Sequence, residues 1–165
     1  KGFVSYPLED PTMTHITRRI ALALFVSLCS ALPAHASSAS KDDAQTQANA
    51  AVTQIKKVGL DQAIKDINSG AEWKVKEMNV NVVDFKGVVL ASSLNEKLRG
   101  KDTLESKDPS GKAFVKEFIA TAQKGEGWVD YQFINPVSKK LEERSMFVKR
   151  APGAEAFVAV AITKQ

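Results

Sequence analysis

The side chains of this chain that could do chemistry are suited to holding a small molecule. Asn79 and Asn81 alternate along one strand pattern, so their amides share a face. If that face lines a pocket, the two amides offer donors and acceptors to a polar ligand. Otherwise they are solvated or satisfy neighbouring backbone. Arg144 carries a planar guanidinium fork that can grip a carboxylate through two hydrogen bonds. Its alternative is a surface arginine paired with Glu142 or Glu143. In residues 125–136 a Gly-punctuated loop feeds a strand carrying Trp128, Tyr131 and Phe133, and Asn135-Pro136 ends it. Trp128 and Tyr131 each join a large apolar surface to one hydrogen-bonding group, which suits a pocket wall. They differ in parity, so at most one faces the ligand. Tyr131 is the better contact, through its hydroxyl, and Trp128 the better core residue.

Catalytic machinery is harder to find. The two histidines, His15 and His35, and the single cysteine, Cys29, all lie in the first 36 residues. Past that point the commonest general base, the commonest zinc ligand and the thiol nucleophile are missing. Asp84 and Asp108 sit in turn sequences and read as turn residues. No paired carboxylates or Ser/Lys arrangement stand out, so the chain reads as non-catalytic, with no metal and no cofactor expected.

The first 36 residues have their own logic. Met13 is followed by a short basic segment ending Arg18-Arg19, then an apolar run over 20–32, then Ala34-His35-Ala36. Basic, apolar and small-x-small segments in that order form a secretory signal peptide, cleaved after Ala36. The run is shorter than the roughly 20 residues that span a bilayer. Residues 1–12 are upstream of it, and residues 37–41, rich in serine, read as a flexible leader to one domain over 42–165. Cleavage leaves 129 residues, with 20 basic and 17 acidic side chains. That length supports one genuine core. The charges are interspersed, without a basic run interleaved with aromatics, so nucleic-acid binding is not expected.

These groups need a scaffold. Ala44, Ala48, Ala51, Val52, Ile55 and Val58 recur at helical spacing and predict a helix over 42–58, stopped by Gly59. A shorter helix follows over 61–68. Strand patterns over 76–85 and 88–91 flank the turn Asp84-Phe85-Lys86-Gly87 and form a hairpin. Residues 93–110 read as a loop with at most one short helix, ended by the turn Asp108-Pro109-Ser110-Gly111. A helix over 112–124 and strands over 128–134, 144–150 and 156–163 complete the chain. The expected fold is α+β: a five-stranded antiparallel sheet, the long N-terminal helix on one face, a helix and long crossing loop on the other.

This order, with its motifs, resembles the single Cache domain family, type 2, whose members are PAS-like extracytoplasmic sensor domains. The resemblance runs over about 50–164. It is carried by Gly59-Leu60-Asp61-Gln62-Ala63-Ile64, by the segment 82–91, by 94–102, by Lys107-Asp108-Pro109-Ser110-Gly111-Lys112-Ala113-Phe114-Val115, by 125–131 with Asn135-Pro136, and by Phe147-Val148-Lys149-Arg150. It implies a pocket for a small organic molecule, often a short carboxylate, between sheet and crossing loop. Family members often have aromatic residues near Asn79 and Asn81, histidine at Ser92, lysine at Arg144 and tyrosine at Phe147. Ser92 and Phe147 would therefore make weaker contacts here. Arg144 and Phe147 differ in parity, so both cannot enter one pocket without a bulge. The chain ends just past its last strand, which reads as a free-standing, secreted form.

Two functions stay open. In the first, the domain binds a small organic ligand, with short carboxylates favoured, through Asn79, Asn81, Tyr131 and Arg144, and presents it to a membrane sensor or transporter. In the second, it is a protein-interaction accessory that binds no metabolite. The long helix offers a surface for a homodimer in either case.

Overall fold

The structure, a computed structural model, describes residues 38–76, 78–135 and 138–164. The signal peptide expected over 13–36, the cleavage residues expected at Ala34 and Ala36, and residues 1–12 lie outside the described residues. Within them, Ser40 already caps a helix that begins at Lys41, one residue before the start expected at 42.

Helix α1 spans Lys41–Val58. The Ser40 hydroxyl accepts from the Asp43 N–H at 3.1 Å, and the Ser40 N–H donates back to Asp43 at 2.9 Å, closing a capping box. Asp42 and Asp43 sit at its positive end, and Lys56 and Lys57 at its negative end. Helix α2 (Leu60–Ser69) follows immediately, because Gly59 takes φ +81° and turns the chain at no steric cost. Strands β1 (Val80–Asp84) and β2 (Val89–Ser92) form the first hairpin. Helix α3 (Phe114–Gln123) precedes β3 (Glu126–Ile134), β4 (Leu141–Arg150) and β5 (Ala156–Thr163). The strands make one antiparallel sheet in the order β2-β1-β5-β4-β3.

Strand alternation splits the core into two layers. On one face α1 buries Ala44, Ala48, Ala51, Val52 and Ile55 against Val80, Val82, Phe147, Val158 and Val160. The alanines leave room for the helix to lie close to the sheet. On the other face α3 buries Val115, Phe118 and Ile119 against Tyr131, Met146, Val148 and Phe157. Strand β5, covered on both sides, reads as an almost unbroken apolar run for that reason. A bulge in the first hairpin pairs Val82 with Ala91 but Val83 with Val89. The extra residue, Leu90, sends Ala91 and Val89 into opposite layers despite their shared parity.

Two elements differ from the sequence pattern. The strand expected from residue 76 begins at Val80, because Lys76 takes φ +48° and the Met78 N–H turns back to the Val75 carbonyl at 2.9 Å. Lys76 is held there by an ion pair to Asp43 at 2.8 Å. Strand β4 instead starts early, at Leu141, which brings Glu142 and Arg144 into the same ladder.

The crossing loop over 93–113 is fastened at both edges of the sheet. Beside β2, the Val89 N–H donates to the Lys101 carbonyl at 3.0 Å and the Gly100 N–H to Val89 at 2.7 Å. Gly87 (φ +90°) accepts from the Thr103 N–H and hydroxyl, and a Cβ on it would stand 2.8 Å from that of Leu104. At the far edge the buried Asp108 carboxylate accepts from the Ser110 N–H (2.9 Å) and hydroxyl (2.6 Å), the Lys112 N–H (3.0 Å) and, across the gap, the Gln132 N–H of β3 (3.1 Å). The turn-forming aspartate is thus also a clamp.

Those bonds, the Ser110 hydroxyl foremost, hold the Asp108 carboxyl at about 2. A depressed carboxyl stabilises the fold above the unfolded value, near about 4, and that stability is lost as pH falls toward 2. Asp108→Asn should lower the melting temperature at neutral pH by about 4–10 °C. It should also reduce the decline in melting temperature that the parent chain shows between pH 4 and pH 2. Thermal denaturation followed by circular dichroism measures both.

Candidate ligand-binding site

The β3–β4 ladder builds the site. Its register is unbroken from Glu126 opposite Lys149 to Ile134 opposite Leu141, so Tyr131 stands directly opposite Arg144. Both side chains fall on the α3 face, and Phe133 and Glu142 follow on the same face one step along. The Arg144 guanidinium lies over the Phe133 ring, 4.0 Å from its centre. Its Nε and Nη2 both donate to Glu142 Oε2, at 3.0 and 2.7 Å. Glu142 Oε1 accepts from Asn135 Nδ2 at 2.7 Å. The Asn135 amide first, and then Arg144, hold the Glu142 carboxyl below its usual range.

Asn135, Glu142 and Arg144 border a cleft of about 240 Å³ that also meets Lys76, Asn79, Ala161 and Thr163. Tyr131 lies deeper. It is only 6% exposed, its ring stacked on Phe114 at 5.0 Å and set edge-on to Phe118 at 5.5 Å. Burial pushes its phenol above the usual value, and the neighbouring Arg144 charge partly opposes that. The space between α3 and the sheet is therefore filled by aromatic rings, and the cleft opens beyond them toward the ends of β4 and β5.

Of the other residues singled out from sequence, Asn79 reaches the cleft but is also a structural tie. Its Oδ1 accepts from the Ser92 hydroxyl (3.1 Å), the Ser93 hydroxyl (3.3 Å) and the Leu94 N–H (3.0 Å). Ser92 is fully buried, its N–H donating to Asn68 at 3.0 Å while Arg99 donates to its carbonyl. Asn81 lies on the α3 face opposite Ala159. It is 9% exposed, and its Oδ1 has no hydrogen-bond partner among the described residues.

Trp128 and Phe147 are on the other side of the sheet. They pack against each other at 5.2 Å beneath α1, with Lys41 over the indole at 5.1 Å. The ladder has no bulge that would bring Phe147 round to join Arg144. Sequence reasoning gave Glu142 only as a surface partner of Arg144 and took Asn135 for a strand end. The signal for Glu142 was present: two residues before Arg144 on one strand is the same face. Asn135 and Lys76 come to the cleft through tertiary packing and carry no such signal. Among the described residues the cations bordering the cleft, Arg144 and Lys76, are paired with Glu142 and Asp43. Among the described residues no cluster of His, Cys, Asp and Glu could hold a metal ion, and no helix is long and apolar enough to cross a membrane.

A family model described as a Cache domain matches residues 35–163. Three solved structures share the fold. A methyl-accepting chemotaxis protein from Vibrio parahaemolyticus RIMD 2210633 is 18% identical, with a TM-score of 0.57, over 74% of this chain and 87% of its own. A periplasmic sensor domain of a chemotaxis protein is 19% identical, with a TM-score of 0.58, over 75% and 90%. A Cache chemosensory domain described for its carboxylic acid recognition is 20% identical, with a TM-score of 0.59, over 74% and 88%. No curated protein matches the chain.

The packing around Tyr131 separates its ring from its hydroxyl. Tyr131→Phe should cost less than about 1.5 kcal/mol of stability, the scale of one hydrogen bond. Tyr131→Ala, which empties the space between Phe114 and Phe118, should cost about 3–5 kcal/mol. Equilibrium urea denaturation distinguishes the two.

Proposed function

The chain belongs to the Cache domain family, and from that premise we propose that it is a non-catalytic extracytoplasmic sensor domain for a small organic molecule, a short carboxylate. One observation carries this reading: Arg144 is held over the Phe133 ring at the edge of the cleft, its Nε and Nη2 engaged with a carboxylate. A guanidinium held in place by an aromatic ring needs little reordering when an anion docks. A cleft of about 240 Å³ suits a ligand of few atoms. The similar Cache domain that recognises carboxylic acids supports the same ligand class. Asn79 and Tyr131 border or back the same region, and Asn81 supplies an acceptor without a partner among the described residues.

Secretion through the signal peptide, with cleavage after Ala36, would place the domain in the periplasm or outside the cell. There it would pass its ligand state to a membrane sensor or transporter. The exposed side of α1 carries Asp42, Thr46, Asn49, Thr53, Lys56 and Lys57, so a homodimer through this helix would rest on polar contacts. A second reading, a protein-interaction accessory without a metabolite, is favoured by the aromatic filling between α3 and the sheet.

A thermal-shift series with short organic acids tests the proposal. A true ligand at a hundred times its Kd adds about 2.7 kcal/mol, a rise of roughly 8–12 °C for a domain of this size. Arg144→Met should weaken that ligand by at least about thirtyfold, the loss of one charged partner. Flat curves for the parent chain across the series would favour the accessory reading.

A further inference from the structure

We propose that Glu142 is a built-in competitor for the ligand: its carboxylate occupies the seat that Arg144 and Asn135 form, and a ligand carboxylate binds by displacing it. The inference rests on the carboxylate reading above. Arg144 Nε and Nη2 converge on Glu142 Oε2 at 3.0 and 2.7 Å, and Asn135 Nδ2 meets Oε1 at 2.7 Å. Three donors thus surround one carboxylate at the margin of the cleft, the arrangement a bound organic acid would need.

The occupant and its hosts are held very differently. Arg144 stays aimed when Glu142 leaves, because its guanidinium sits 4.0 Å over the centre of the Phe133 ring and its strand neighbour across the ladder is Tyr131. Asn135 is fixed by its backbone, which donates to the Lys140 carbonyl at 3.0 Å, and by its Oδ1, which accepts from the Ser138 N–H at 3.1 Å. The Glu142 carboxylate has no partner among the described residues beyond these two. Its side chain and that of Arg144 are 20% and 24% exposed, so solvent reaches the pair and limits its strength. A flexible side chain holding a rigid seat through a partly screened ion pair is able to exchange.

Glu142 then sets specificity. Its tethered carboxylate leaves only the fraction of molecules with an empty seat competent to bind, and apparent affinity falls by that fraction. Weak anions are rejected, and a successful ligand must add contacts that Glu142 lacks. Displacement passes the Asn135 and Arg144 bonds to the ligand and leaves the Glu142 carboxylate to solvent.

The test is calorimetric titration of the full chain with acetate, propionate and succinate. Glu142→Gln should bind at least about tenfold tighter than the parent, as expected where the seat is closed nine-tenths of the time. Glu142→Asp keeps the charge but shortens the reach, so it should gain affinity too. Glu143→Gln, on the opposite face and bonded to Gln132 at 2.8 Å, should leave affinity unchanged. A gain in Glu142→Gln without one in Glu142→Asp would mean simple charge repulsion and would overturn the displacement. Binding by the parent with no gain in either variant would also overturn it, while leaving the carboxylate reading intact. Failure of parent and variants alike to bind any of the acids would overturn both.

Discussion

The alternation of strands β4 and β5 between two helical layers is the constraint on which the other features of this molecule depend. Both strands are central, paired on each side, and β4 keeps strict register with both neighbours. Each step along β4 therefore exchanges the α1 layer for the α3 layer. Phe147 goes to α1, Met146 and Val148 go to α3, and Arg144 is committed to the α3 face before any side-chain interaction is considered. Moving Arg144 to the other face would carry Met146 and Val148 with it and break both layers of the core.

The cleft does not lie between the sheet and the crossing loop, where the family resemblance put a pocket: Ser38, Ala39, Lys76, Met78, Asn79 and Asn135 wall it against the ends of β4 and β5. The α3 face is closed by a loop of some twenty residues without long elements, a length that is uncommon unless the loop has a task. Its ends are bolted to opposite edges, through Gly87 beside β2 and through the Asp108 carboxylate at β3. The same contacts occupy backbone groups at both edges, which otherwise invite pairing with another chain. Closing the face and protecting the edges are here one structural solution.

Several charges are held in ion pairs that also serve other groups. Asp43 serves the α1 capping box and Lys76 together; Asp130 meets Lys164 at 2.8 Å and also accepts from the Ser145 hydroxyl. Arg144 and Glu142 follow the same rule, yet their surroundings differ. Asp43 and Asp130 fasten segments distant in the chain, whereas Glu142 and Arg144 are two residues apart on one strand. Among the described residues, separating them breaks one further bond of Glu142, that to Asn135, and this is why this pair, unlike Lys76 and Asp43, can serve as a reversible occupant.

Local pattern was enough to read most of the fold. Alanines and branched residues at helical spacing gave a helix over 42–58, against Lys41–Val58 in the structure, and the apolar run of β5 ended where its pattern did, since burial on one or two faces leaves a direct imprint on composition. Parity in the sequence likewise separated Trp128 from Tyr131 and Phe147 from Arg144, because period-2 alternation is a local property of backbone geometry. The sequence could not show where β1 begins, since a lysine at φ +48° is held by an aspartate 33 positions away. Nor could it show that Asn79 spends its carbonyl on the turn after β2, that aromatic rings fill the space beneath α3, or that Asn135 reaches Glu142. Those outcomes depend on which segments the fold brings within about 3 Å of one another, the range of a hydrogen bond. The sequence by itself determined the layers and, outside the bulge at Leu90, which strand residues share a face; only tertiary packing decided which groups on the ligand face already have partners, and hence that the arginine meets a carboxylate of its own chain.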